Sequence, residues 1–72
     1  MRIFVLTSED QTFARRLDVD EATATLADAR METGHYWADR AKEDLLTTES
    51  GSVFDVFSTV GDIELLIVLD IE

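Results

Sequence analysis

Residues 63–72 read IELLIVLDIE, and this decapeptide decides what kind of fold the chain can make. Successive side chains of a strand point to opposite faces, so Ile63, Leu65, Ile67, Leu69 and Ile71 fill one face completely. Leu66 and Val68 make the middle of the other face apolar too, which marks a strand at the centre of a sheet rather than at its edge. Upstream, VFDVFSTV (53–60) is a second strand, and Gly61 with Asp62 supplies the turn that joins the two as a hairpin.

At the other end of the chain, RIFVLT (2–7) is β-branched and aromatic with apolar residues on both alternations, so it is a second central strand. SEDQ (8–11) turns the chain. TFARRLDV (12–19) then places Phe13, Leu17 and Val19 on one side and Thr12, Arg16 and Asp18 on the other, as a half-exposed edge strand does. The competing reading of 9–17 is a short helix, because Ser8 and Gln11 have capping-box spacing and Phe13 and Leu17 are four apart. Asp18 or Asp20 caps a helix beginning near Asp20, whose apolar stripe is Ala22, Leu26 and Ala29. Trp37, Ala41 and Leu45 make another stripe, displaced by about a quarter turn at about 100° per residue. Gly34 lies between the stripes, so either one kinked helix runs to about Leu46, or the helix ends at Gly34 and a second begins near His35. TTESGS (47–52) is a loop.

The order strand, strand, helix, strand, strand defines one α+β domain over residues 1–72. The expected architecture is ββαββ, a four-stranded sheet with one long or broken helix on one face. Placing the two most apolar strands side by side makes them parallel, an arrangement similar in outline to the β-grasp. No residue motif carries that likeness, and the sequence does not end in the di-glycine of a conjugated modifier resembling ubiquitin.

Composition narrows the function. The chain has 72 residues, 46% of them apolar, with no cysteine and no proline, so disulfides and thiolate metal sites cannot staple it and packing or self-association must. Sixteen acids against six bases give a net charge of −10, which repels nucleic acid and anionic lipid and favours a basic protein surface as partner. The longest apolar run, Leu65 to Leu69, is too short for a membrane span, and no segment has the order of a signal peptide, so a cytoplasmic protein is expected. A single lysine and an excess of aspartate over glutamate also fit a salt-adapted proteome.

The only His, Tyr and Trp stand together at 35–37. His35 has no nucleophile beside it, and with Asp39 it offers only two of the ligands a zinc site needs, so no catalytic, metal or cofactor-binding residue is expected. Trp37 belongs with Ala41 and Leu45 in the core. On a continuous helix, Glu21, Asp28, Glu32, Asp39 and Glu43 fall within about 60° of one another along about 33 Å, with Tyr36 beside them. Successive members lie about 10 or 6 Å apart, on the scale of phosphate spacing along a nucleic-acid strand. The competing reading is that any amphipathic helix in so acidic a chain must turn acids to water. A third feature is the back of the sheet, where Phe57, Leu66 and Val68 are expected to share an uncovered apolar face that a homodimer would bury.

These readings converge on a non-enzymatic acidic binding module, an inhibitor or adaptor that docks on a basic, nucleic-acid-binding surface of another protein. In size and composition the chain is similar to small phage anti-defence proteins, among them anti-CRISPR and DNA-mimic inhibitors. The alternative is a non-catalytic assembly subunit, a homodimer whose acidity serves salt adaptation or solubility.

Overall fold

Four strands, β1 (Arg2–Ser8), β2 (Ala14–Leu17), β3 (Val53–Phe57) and β4 (Ile63–Asp70), form one sheet in the order β2-β1-β4-β3. Two helices, α1 (Val19–Ala29) and α2 (His35–Thr47), lie between β2 and β3 in sequence. This computed structural model describes residues 1–30, 35–58 and 60–72, the side chains of 35–37 excepted. The chain is thus an α+β domain, with β1 and β4 central and β2 and β3 at the edges, as their apolar patterns require.

Every strand pair is antiparallel, including β1 with β4 over seven residues from Arg2↔Asp70 to Ser8↔Glu64. The central strands are neighbours as expected, but they do not run parallel, and the β-grasp likeness fails on that point. The reason is the second helix. One helix between β2 and β3 would bring β4 back parallel to β1, whereas two helices add one more reversal of the chain. α1 ends at Ala29, where the Arg30 amide donates back to the Leu26 carbonyl at 3.1 Å, and α2 packs beside α1. The role of Gly34 lies outside the described residues.

Residues 14–17 are strand, not helix. Ser8 and Gln11 close a turn instead of a capping box, the Gln11 amide donating to the Ser8 carbonyl at 2.9 Å. Asp18, rather than Asp20, caps α1: its Oδ1 accepts from the Glu21 amide at 2.8 Å, which satisfies one of the helix's free amides and fixes the exit from β2.

The core lies between the helices and one face of the sheet. Phe4 and Leu6 of β1, Leu17 of β2, Val56 of β3, and Leu66 and Val68 of β4 meet Ala22, Leu26 and Ala27 of α1 and Ala41 and Leu45 of α2. Small residues let α1 approach the sheet, and the two helices approach each other, closely. Leu66 and Val68 are completely buried here, and this corrects the expectation that they line a free back face. Phe57 is 64% exposed and stands opposite Ile63, so it shares a face with Ile67 and not with Leu66. Both alternations of β4 are apolar, so alternation alone cannot choose the covered face. The hairpin register and the exit of β2 through buried Leu17 into α1 choose it.

Candidate functional site

The acids of the helical layer are placed by the same periodicity that buries its core. At about 100° per residue, Glu21 and Asp28 lie about 20° apart and about 130° round from the buried pair Ala22 and Leu26, on the flank of α1. Asp39 and Glu43 lie about 40° apart and opposite Ala41 and Leu45 on α2. All four are exposed. They form two exposed pairs, one on each helix, instead of one continuous row, because α1 and α2 are separate helices packed side by side. Glu32, and the Tyr36 side chain that was expected beside the row, fall outside the described residues, as do the His35 and Trp37 side chains.

Among the described residues, ion pairing leaves most of this charge free, and three of the six bases are engaged: Arg2 with Asp70 at 2.8 Å, Arg15 with Glu21 at 3.2 Å, and Arg30 with Asp44 at 2.6 Å. Of the four stripe acids only Glu21 is in such a pair, whereas Asp28, Asp39 and Glu43 have no ion pair with a described residue. Arg30 with Asp44 also ties the end of α1 to α2 (side chains 30% and 40% exposed). Asp39, Glu43 and Asp44 line one shallow depression of about 300 Å³ with Arg40. A surface of this kind can attract and orient a cationic partner.

Two further places collect polar groups. At the loop end of the sheet, Ser8, Glu9, Asp10, Thr12, Asp62 and Ile63 line an open cleft of about 620 Å³. Asp10 is occupied there in holding the turn. Its Oδ1 accepts from the Ser8 hydroxyl at 2.8 Å, the Thr12 hydroxyl at 2.8 Å and the Thr12 amide at 3.1 Å, and these bonds, Ser8's foremost, hold its carboxyl below the ordinary range. The second place is a cleft of about 280 Å³ between α1 and the β3–β4 hairpin, where Asp28 and Thr25 face Ser58 and Glu64. Sequence reasoning passed over Glu64, although its alternation with Leu66 and Val68 was the available signal that it points under the helices.

Among the described residues, no group of three or more His, Asp or Glu is placed to hold a metal ion, and no helix is long and apolar enough to cross a membrane. No family model matches the chain, and comparison with curated proteins and with solved structures finds no match. The fold and surface define a small two-layer α+β domain with an acidic helical side.

Proposed function

We propose that the protein is a small acidic binding module, an inhibitor or adaptor that sets its helical side on a basic, nucleic-acid-binding surface of another protein, in the manner of phage anti-defence and DNA-mimic proteins. The observation that carries this reading is the set of exposed acids free of ion pairs with described residues, Asp28 on the flank of α1 and Asp39 and Glu43 on the outer side of α2. In a chain of net charge −10 these carboxylates add to a field that steers a cationic surface toward the helices. Two short acidic pairs fit a groove that holds separate phosphates better than one that tracks a long straight strand.

The test is displacement of a fluorescent DNA duplex from a panel of nucleic-acid-binding proteins, at about 50 mM and about 300 mM salt. The wild-type chain displaces the duplex from at least one of them at low salt and loses at least about ten-fold in potency at the higher salt. Asp28→Lys, Asp39→Lys and Glu43→Lys combined abolish the displacement while the fold stays intact. Displacement that survives the triple reversal overturns the reading.

A further inference from the structure

The geometry points to the open face of the sheet as the seat of a second copy of the chain, in a dimer whose two-fold axis runs parallel to the central strands. This inference uses the face opposite the acidic helices and stands independently of the docking proposal. Ile3 and Val5 of β1 and Leu65, Ile67 and Leu69 of β4 form the middle of that face and are half-buried. Val53 and Phe57 of β3 extend it and are 53% and 64% exposed.

Size is the first argument. Four strands spaced by about 4.8 Å, each about six residues long at about 3.3 Å per residue, give a face of roughly 400 Å² in projection. With side chains standing off it, the accessible area is roughly 600 Å² per copy, so two faces bury about 1,200 Å², where specific interfaces begin. That reaches the size of a specific interface, at the low end of the range.

Charge is the second argument, and it selects the symmetry. On the open alternation the four strands carry only two charged residues, Arg16 on edge strand β2 and Asp55 on the opposite edge strand β3. Arg16, Val5, Ile67 and Val53 form one row across the sheet, and Ala14, Thr7, Leu65 and Asp55 form the next. A two-fold axis parallel to the strands exchanges the edges and lays β2 of one copy over β3 of the other. Arg16 then faces the partner's Asp55, and the contact repeats by symmetry. The two rows are about 7 Å apart along the strand, a step that an extended arginine spans when packed sheets cross at about 30°. An axis perpendicular to the strands would instead stack Arg16 on Arg16 and Asp55 on Asp55.

The experiment is sedimentation equilibrium of the full chain across concentration and salt. The expected mass is twice the protomer's 8.1 kDa at high micromolar concentration, and the dimer tightens from low to moderate salt because screening relieves the repulsion between two chains of charge −10. Ile67→Glu gives a folded monomer. Arg16→Asp or Asp55→Arg alone weakens the dimer about ten-fold, because each turns both symmetry-related contacts repulsive, and the double variant restores it. A wild-type chain that stays at 8.1 kDa overturns the dimer, as does a dimer indifferent to Ile67→Glu. A double variant weaker than either single one overturns the axis. Should Ile67→Glu fail to fold, the charge-swap series still decides.

Discussion

Arg2 and Asp70 stand opposite each other on the two central strands and are joined by a forked contact, Nε to Oδ1 at 2.8 Å and Nη2 to Oδ2 at 3.0 Å. The remaining guanidinium nitrogen, Nη1, donates to the Leu45 carbonyl at 2.9 Å near the end of α2. One side chain therefore binds both central strands and the second helix. Lysine, with a single ammonium, cannot reproduce this geometry, so Arg2→Lys is expected to lower the melting temperature although it keeps the charge.

The same contact makes stability depend on pH. The hydrogen bond from Arg2 holds the Asp70 carboxyl below its ordinary value and raises Arg2 itself. A carboxyl depressed in the folded state stabilises it fully above the unfolded value of about 4, and that contribution is lost as pH falls through the folded value. Arg2 stays charged throughout this range. The stability gap between wild type and Asp70→Asn should therefore be constant above about pH 5 and close below about pH 4, and Asp10→Asn should behave alike. Thermal melts across that range check it, and a gap that widens in acid would refute the assignment.

Adjacent residues of β4 should respond in opposite ways to the same substitution. Val68 is completely buried against the helices, and Ile67 lies on the open face. Val68→Glu places an unpaired carboxylate in the core, at a cost of about 4 kcal/mol or more, which is comparable to the whole stability of so small a domain. Ile67→Glu costs about 1 kcal/mol through lost strand propensity and packing, and leaves the chain folded. Circular dichroism melts separate the two. A folded Val68→Glu beside an unfolded Ile67→Glu would invert the assignment of faces.

Features set by a few neighbouring residues were legible in the sequence: the central strands, the hairpin at Gly61, a capping aspartate at 18 or 20 and the burial of Ala41 with Leu45. Each depends on spacing within one or two turns of chain. The choice of covered face was not legible, because Ile63, Leu65, Ile67, Leu69 and Ile71 look more like a core row than Leu66 with Val68 does. The direction of β4 relative to β1 was hidden too, since it turns on whether residues 20–46 make one helix or two. The outward direction of Asp39 and Glu43 followed from the helical period, whereas the arrangement of the acids as one row needed a continuous axis that the fold does not provide.

Two turn residues are expected to shift stability in opposite directions. Gln11 has φ 60°, in the left-handed region, where a β-carbon costs about 1–2 kcal/mol, and its amide closes the turn from Ser8. Gln11→Gly removes that strain at an entropic cost of about 0.5–1 kcal/mol and should raise stability by up to about 1 kcal/mol. Gly61 has φ 86° with open space around an added β-carbon, so Gly61→Ala meets no clash but should lose about 1 kcal/mol from backbone strain alone. Denaturant midpoints measure both, and equal shifts of one sign would contradict this account.

Glu64 occupies a position unfavourable to the fold. It stands between Ser8 of β1 and Val56 of β3, on the alternation of Leu66 and Val68, and so points toward the helical layer. It is half-buried, and its Oε2 is shielded from solvent without a hydrogen bond from any described residue, as is the Ser58 hydroxyl nearby. Asp28 borders the same cleft, so the other charge that lines it has the same sign. An unmatched acceptor in such a place costs about 1–3 kcal/mol, and an apolar side chain of similar length removes that cost while filling the cleft beside Leu6 and Val56. Glu64→Met should therefore raise stability by about 1 kcal/mol, with Glu64→Gln in between because an amide can donate to Asp28. Denaturant unfolding at neutral pH checks the order. A loss of stability in Glu64→Met would mean that the carboxylate is satisfied in solution and holds α1 against the hairpin.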